Sequence, residues 1–374
     1  CVVAGTPLVF ATVGELITEK SGSMNLGVEG MMLMGAVMGF LASINTYNPA
    51  VALLAAALAG AGGALIFGFL TVSLRANQVV CGLTLTIFGT GFAQFVGEPL
   101  LGSSVPSDIT SFFAKLSIPL LGDIPVIGPI FFQQDIFVYI SYIVCALAAV
   151  YMYKTKIGMN LKAVGESNAA ADASGINVAL YKYVHILIGG ALCGLGGAYL
   201  SLVRMPIWQE NIVNGRGWIA VALVIFVAWN PIKGFFGGAL FGGLSILGLK
   251  LQAMGVGVSQ YLVDMIPYVA TILIVIFSTY KKKKESQPPA DLGNNYNMVY
   301  VHFAEGFEEV EAVTIVDLLR RAEIDVKMVS IMEDKMVEGA HGMQLQADLL
   351  FEEADYDGCD MIVLPGGMPG ALHL

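Results

Sequence analysis

Charged residues are scarce in this sequence of 374 residues. Only 13% of its residues are charged and 56% are apolar, whereas a soluble globular protein averages about 25% charged and about 45–50% apolar residues. The acidic residues are also unevenly placed. The part after Met298 has sixteen acidic and four basic residues, net −12, which leaves thirteen acidic and fifteen basic residues before it, net +2. The composition therefore excludes one soluble globule and predicts a polytopic helical membrane domain followed by a separate acidic domain.

Two chemical motifs are missing. The five cysteines, of which Cys81, Cys145 and Cys193 lie in apolar runs, show no C-x-x-C spacing, so we expect neither a metal site nor a disulfide framework. No G-x-x-x-x-G-K-[ST] phosphate loop is present, so hydrolysis of ATP would need another subunit. We expect no cofactor and no nucleic acid partner. Because the chain starts at Cys1 inside apolar sequence, we also expect an earlier N-terminal segment to be missing.

Nine apolar runs are long enough to be passes or partial passes through a membrane. Gly30–Ile44 and Trp218–Trp229 fall short of the roughly 20 residues that span a bilayer, and we expect them to be broken or tilted. The nine runs are Val2–Ile17, Gly30–Ile44, Ala50–Leu74, Val79–Val96, Asp135–Tyr153, Val178–Leu202, Trp218–Trp229, Phe235–Met254 and Tyr261–Tyr280.

Basic residues predict the orientation. If the loop after Tyr153 and the run Lys281–Lys284 are cytoplasmic, strict alternation puts eleven bases inside and four outside, as the positive-inside rule requires. Gly97–Gln134 then lies outside. Within it, Ser111–Leu121 predicts a short interfacial helix, and Ile124–Phe132 predicts Pro-rich turns on the face where a binding protein would dock.

A polar loop interrupts the apolar sequence between Tyr153 and His185. It predicts a short helix on the cytoplasmic surface, capped at its start by Ser167 or Asn168 and ended by Gly175 at positive φ. An ordinary interhelical loop is the alternative. The stretch AVGESNAAADASGINV resembles the coupling segment of ABC-importer permeases of the branched-chain amino acid, simple sugar and nucleoside type, which docks into the ATPase subunit. The resemblance gives that role to the following residues: Gly165, Glu166, Asn168, Ala169, Ala170 and Gly175.

A second landmark is the Gly- and Asn-containing break after Lys20. Irregular backbone within a membrane persists only if it is buried in protein or lines a wet path, so Asn25 and Glu29 are candidates for the translocation route. The alternative is that both only satisfy the broken backbone. The stretch SGSMNLGVEGMMLMGA resembles the N-terminal signature of nucleoside and simple-sugar ABC permeases. RANQVVCGLTLTIFG resembles the next landmark of that family. Asn77 and Gln78, which open a helix there, are further candidates for the translocation route.

The resemblance covers about residues 5–280 and implies a permease subunit of an ATP-driven importer. It also implies four partners: an ABC ATPase, a second permease subunit, an extracellular substrate-binding lipoprotein and membrane lipid. We rank nucleosides first as substrates, simple sugars second and branched-chain amino acids third. A multi-pass protein of the bacterial plasma membrane is expected. The alternative function is that of a secondary transporter, which would need carboxylates or histidines within the membrane to bind coupling ions. The deep parts of the helices have almost no such residues, and Asp264 is the main candidate.

The domain boundary lies in a polar linker. Residues 281–297 combine four lysines with an aperiodic Pro/Gly/Asn segment, after a permease domain of residues 1–280. Residues 298–374 alternate predicted strands with a helix, as in an incomplete parallel α/β sheet. The predicted elements are Met298–Phe303, Asp325–Ile331, Met343–Ala347 and Asp360–Leu364 as strands and Val310–Ala322 as a helix. We expect the linker and this part to be cytoplasmic.

The C-terminal stretches AEGFEEVEAVTIVDLLRRA and MIVLPGGMPGA resemble the N-terminal part of the ThiJ/PfpI superfamily. The resemblance implies that Glu311 would bond a nucleophilic cysteine and that Gly366 and Gly367 would help form an oxyanion site. The nucleophile of the family falls beyond Leu374, and Cys359 precedes its strand. We therefore expect this part to be inert and the chain not to be an enzyme; a bifunctional permease fused to a glyoxalase or deglycase is the alternative.

Overall fold

The computed structural model describes the following residues: 2–125, 127–254, 265–266, 269–270, 272–273, 276, 287–294, 298–321, 324–356, 359–368 and 370. They belong to two compact units, Cys1–Asn295 and Tyr296–Leu374. The predicted span Tyr261–Tyr280, including Asp264, and the run Lys281–Lys284 lie mostly or wholly outside the described residues.

The first unit is helical, because its long apolar runs satisfy their backbone groups internally. Six of its described helices, α1 to α4, α6 and α9, are long and apolar enough to cross a membrane. The helices are α1 Val2–Glu19, α2 Val28–Thr46, α3 Pro49–Gly68, α4 Gln78–Gly97, α5 Ser107–Phe112, α6 Ile136–Lys154, α7 Lys156–Glu166, α8 Asn168–Ala173, α9 Val178–Tyr199, α10 Arg216–Phe226 and α11 Pro231–Ala253.

The helix lengths correct one prediction and confirm another. α2 is an unbroken helix of 19 residues. Of the two expectations for Gly30–Ile44, a broken or a tilted helix, the break is therefore wrong, and the irregular segment lies before Val28. α10 has only 11 residues, about 16 Å at 1.5 Å per residue. The run Trp218–Trp229 is therefore too short to span a bilayer, as predicted.

Glycines set the closest helix contacts in the first unit. α1, α2 and α9 are mostly buried, whereas fewer than half of the residues of α3, α4 and α6 are buried. Added methyl groups at Gly190 and Gly194 of α9 would collide with α3, and at Gly238 and Gly242 of α11 with α1. The helices therefore approach one another closely at these four positions. Gly234 makes no such approach, since a methyl group there would meet nothing nearer than 3.8 Å.

The segment after α4 differs from its prediction. A short helix was expected over Ser111–Leu121. The helix in the structure is α5, which ends at Phe112 and overlaps that range by only two residues. β1 (Lys115–Ser117) instead pairs antiparallel with β2 (Gln133–Asp135). Pro119 explains the difference, because proline inside a helix removes a hydrogen bond and clashes with the preceding turn.

The second unit contains a four-stranded parallel sheet and one long helix. Its strand order is β7-β4-β3-β8, and β5 and β6 form a separate antiparallel pair. The predicted strands and helix are present, and β5 and β7 were not predicted. The elements are β3 Met298–Phe303, α12 Glu309–Arg321, β4 Asp325–Ser330, β5 Met336–Glu338, β6 Gln344–Gln346, β7 Leu349–Leu350 and β8 Met361–Val363.

Candidate functional site

The loop between α6 and α9 holds two short helices. Thr155 starts α7, because its hydroxyl accepts a hydrogen bond from the Gly158 amide at 3.0 Å. Ser167 ends α7 in extended backbone and caps α8, accepting from the Ala170 amide at 3.2 Å. The sequence predicted α8 with either Ser167 or Asn168 as its cap, and Ser167 is the one that caps it. It missed α7, although a Thr cap before an amphipathic stretch is a helix-start signal.

Gly175 ends α8 with a left-handed turn. Its φ is +77°, its amide donates to the Asp172 carbonyl at 2.8 Å, and the Ile176 amide donates to the Ala171 carbonyl at 3.1 Å. This pair of bonds is the Schellman motif, in which glycine is favoured because it adopts positive φ without strain. The positive φ predicted for Gly175 is confirmed.

The six candidate coupling residues lie on two faces of the α7–α8 segment. Glu166, Ala170 and Gly175 are exposed and are accessible to another protein. Gly165 and Asn168 are buried, and Ala169 is half-buried. Only the first group is exposed, whereas Gly165 and Asn168 are enclosed by other parts of the first unit.

Gly165 brings the loop against the turn that follows α1. A methyl group on Gly165 would collide with the Lys20 carbonyl, so the two backbones touch. Burial lowers the pKa of Lys20, and the nearby Glu166 carboxylate opposes that shift. The coupling loop and the break between α1 and α2 therefore meet at one end of the bundle.

Side chains satisfy the backbone of this break. The Met24 amide donates to Gln78 Oε1 at 2.7 Å, and the Asn25 amide donates to Glu15 Oε1 at 3.0 Å. Asn25 Oδ1 in turn accepts from the Gly27 amide at 2.9 Å. Asn25 and Gln78 are buried, so in this conformation both hold irregular backbone, as buried amides require. Beside them, Asn77 caps α4 by accepting from the Val80 amide at 3.0 Å.

Glu29 connects α2 to the start of α10. Its Oε1 accepts from the Gly215 amide at 2.8 Å, and its Oε2 accepts from the Gly217 amide at 2.6 Å. The residue is 5% exposed. Amides at the first turn of a helix lack partners within the helix and carry partial positive charge, which suits a carboxylate. Sequence reasoning selected Glu29 but could not identify partners 186 and 188 positions away.

Two buried carboxylates of α1 were missed. Glu15 is 0% exposed and its Oε2 has no hydrogen-bond partner among the described residues. Glu19 is 3% exposed and accepts a hydrogen bond from Trp229 Nε1 at 2.5 Å. Both lie in the last five residues of α1, next to the break that follows the helix. Two acidic residues four positions apart in an apolar run, hence on one helix face, were the available signal.

In the second unit, Glu311 meets the glycine pair. Glu311 Oε2 accepts from the Gly366 amide at 2.8 Å, at the carboxyl end of β8, and Gly367 has a φ of +121°. Cys359 lies at the other end of β8, where its Sγ is 3.1 Å from the Met361 carbonyl oxygen. The structure thus brings Glu311 to Gly366 but separates Cys359 from both.

A second carboxylate contact of this unit involves a histidine. Glu309 Oε2 lies 2.8 Å from His341 Nδ1, and Glu308 Oε1 lies 3.9 Å from the same nitrogen. The hydrogen bond from His341 lowers the pKa of Glu309 to about 2, and the pKa of His341 is raised by the same bond. The three side chains could offer atoms to a metal ion, but the His341–Glu309 bond already accounts for their arrangement.

Comparisons with known proteins divide at the same place as the structure. The family described as the permease component of branched-chain amino acid transport systems matches residues 1–275, and the DJ-1/PfpI family matches residues 297–374. A putative glucose ABC transporter permease protein of Haloferax volcanii is 33% identical over 79% of this chain and 95% of its own length. A guanosine ABC transporter permease protein of Bacillus subtilis is 36% identical over 72% of this chain and 88% of its own length.

The solved structures that match cover only the second unit. Oxidized DJ-1 of Toxoplasma gondii is 40% identical over 20% of this chain and 41% of its own chain, with a TM-score of 0.20.

Proposed function

The chain belongs to the family of permease components of branched-chain amino acid transport systems, and we propose that it is the membrane subunit of an ATP-driven importer of nucleosides or simple sugars. The observation that carries this proposal is the α7–α8 segment. It exposes Glu166 and Ala170 on one face and packs Gly165 against the turn after α1 on the other. An ATPase bound to the exposed face could therefore displace this segment, and its buried face would transmit the displacement to the helices around the break.

The substrate proposal rests on the relatives. Proteins 33% and 36% identical to this chain are named as permeases for glucose and guanosine. Nucleosides rank first, simple sugars second and branched-chain amino acids third. In importers of this kind the selectivity is shared with a separate binding protein, for which we propose the segment 97–134 as the docking side.

Orientation and path residues complete the proposal. The α7–α8 segment and the second unit face the cytoplasm of a bacterial cell, and the pore pairs this chain with a second permease subunit. Asn25, Glu29, Asn77 and Gln78 surround the helix break and border the translocation route. Their hydrogen bonds to buried backbone mean that opening the route would have to exchange those bonds for others.

The second unit is proposed to be catalytically inert. The carboxylate of Glu311 is already bonded to the Gly366 amide at 2.8 Å. Cys359 lies at the opposite end of its strand, and a thiolate must lie beside its base to act as a nucleophile.

A secondary transporter is the second candidate, because Glu15 and Glu19 are buried carboxylates of the kind that bind coupling ions. Vesicles that contain the full chain with its ATPase and binding protein would separate the two. Under the first proposal, uptake of a radiolabelled nucleoside requires ATP on the side of the membrane where the ATPase is bound. It continues when a protonophore removes the proton gradient. Uptake that follows the proton gradient without ATP would refute the importer and support the secondary transporter.

A further inference from the structure

The segment predicted as a polar linker is bound to the first unit. Residues Pro289–Asn294, here called the strap, contain proline, glycine and polar residues and no periodic apolar pattern. Pro289 is nevertheless buried, and Leu292 packs against a cluster of side chains from α1, α6 and the region after α10. A freely solvated linker would make none of these contacts.

One end of the strap holds the coupling loop. The Asp291 amide donates to the Gly165 carbonyl at 3.0 Å, and the Asp291 carboxylate accepts from the Asn168 amide at 2.6 Å. Asn168 is the first residue of α8, so Asp291 satisfies one of the amides that a helix start leaves without a partner. The Asp291 side chain thus holds the junction between α7 and α8 on its buried side.

The other end holds the helix break. The Gly293 amide donates to the Gly22 carbonyl at 3.2 Å, and Gln78 Nε2 donates to the Asn294 carbonyl at 3.2 Å. Gln78 Oε1 accepts from the Met24 amide. Six consecutive residues therefore link the coupling loop to the break and to the start of α4.

Charge favours an aspartate at this position. Asp291 is half-buried, and its carboxylate oxygen lies 2.6 Å from the Asn168 nitrogen. A hydrogen bond to an ionised acceptor is stronger than a neutral one. An uncharged residue at 291 would therefore weaken this bond.

We propose that Asp291 is a positioning residue for energy coupling, and that the strap transmits displacement of α8 to the break between α1 and α2. This inference rests on the proposed function of the α7–α8 segment. The strap contacts the buried side of that segment, at Gly165 and Asn168, and leaves Glu166 and Ala170 exposed. A partner on the exposed face and the strap on the buried face can therefore act at the same time.

The test measures substrate taken up per ATP hydrolysed, in vesicles with the complete transporter. Asp291→Ala removes the acceptor and the charge, and should reduce this ratio on the order of tenfold while ATPase binding stays unchanged. Asp291→Asn keeps one acceptor oxygen and should restore part of the ratio. Gln287→Ala, at an exposed position just before the strap, serves as the matched control and should behave like the wild type.

A second variant removes the same hydrogen bond from its other side. Asn168→Pro deletes the donor amide, and proline is tolerated at the first position of a helix after an extended residue such as Ser167. It should reproduce the Asp291→Ala ratio. Because Asp291→Ala could lower yield, agreement or disagreement of the two variants decides the role of this bond.

Two truncations test the whole strap. A chain that ends after Asn297 keeps the strap and should couple like the full chain, whereas one that ends after Ser286 should lose coupling. An Asp291→Ala transporter with the wild-type ratio, or a coupled chain ending after Ser286, would overturn the strap proposal. Wild-type uptake that does not require ATP would overturn the proposed function instead, so the two failures are distinguishable.

Discussion

Glu29 in the first unit and Glu311 in the second both accept hydrogen bonds from glycine amides, at 2.6–2.8 Å and at 2.8 Å. Their surroundings differ. Glu29 is 5% exposed and bonds two amides at the start of α10, whereas Glu311 is exposed and bonds one amide after β8. Water can replace a lost carboxylate only at the exposed site. Similar bond lengths should therefore carry very different free energies in the two units.

Paired substitutions should show this difference directly, and the effect should be the largest of those considered. Glu29→Ala leaves the buried Gly217 amide and the half-buried Gly215 amide without their acceptor. An unsatisfied buried amide costs about 1–3 kcal/mol and a half-buried one less, so the first unit should lose about 1–4 kcal/mol of stability. Glu311→Ala should cost about 0.5 kcal/mol or less.

Tryptophan fluorescence during thermal unfolding measures the first effect, because Trp208, Trp218 and Trp229 all lie in the first unit. Limited proteolysis of the second unit measures the other. Glu29→Gln, which keeps one acceptor, should melt between the wild type and Glu29→Ala. Equal melting of Glu29→Ala and the wild type would show that burial does not set the energy of this contact.

A second pair of substitutions compares the two units at glycines that have the same backbone conformation. Gly175 and Gly342 have φ values of +77° and +80°, and a methyl group at either would meet no atom within 4 Å. Valine at each should therefore introduce a similar backbone strain of about 1–2 kcal/mol. Gly175→Val should deform the end of α8 and abolish most ATP-driven uptake, while Gly342→Val should leave uptake unchanged.

Uptake assays on membranes with matched protein levels measure both variants. Glu166→Lys, which changes the charge of the exposed face without backbone strain, should also reduce uptake by weakening ATPase binding. Normal uptake in Gly175→Val would exclude the α7–α8 segment as the coupling element, whereas a loss in Gly342→Val would give the second unit a role in transport.

Local signals explain what could be predicted from the sequence. The apolar runs identify α1, α3, α4, α6 and α9, because a membrane-spanning helix needs about 20 predominantly apolar residues. Gly175 and Asn77 are visible as caps, since their partners lie within five residues. The second unit is visible through alternating strands and a helix.

Contacts between distant residues explain what could not be predicted. Glu29 finds its amides 186 and 188 positions later, and Asp291 finds Asn168 123 positions earlier. A single sequence contains no signal for such pairs. The strap has the composition of a disordered linker, and only its packing shows that it is bound. The spacing of Glu15 and Glu19 indicates that they share one face of α1, but no local pattern shows that this face is buried.

The smallest expected effect concerns pH in the second unit. The pKa of Glu309 is lowered from 4.5 to about 2 and the pKa of His341 is raised above 6.5, each by the other group. The lowered carboxyl pKa stabilises the fold above about pH 4.5 and the benefit is lost as pH falls towards 2. The raised histidine pKa stabilises the fold below about pH 6.5 and the benefit is lost as pH rises through the folded value. The pair therefore contributes most between about pH 4.5 and 6.5.

His341→Gln isolates this contribution, because glutamine can still donate a hydrogen bond but carries no charge. Burial lowers the pKa of His302, which opposes folding at acid pH, yet that residue is present in both chains and cancels in the comparison. Limited proteolysis of the second unit in the full chain should be faster for His341→Gln than for the wild type at about pH 6 and equal at about pH 9. The difference should be modest, since the His341 side chain is 71% exposed and water screens exposed ion pairs. A ratio of cleavage rates that is the same at both pH values would mean that the Glu309–His341 contact acts as a neutral hydrogen bond, and that the charge of the Glu309 carboxylate adds nothing to its stability.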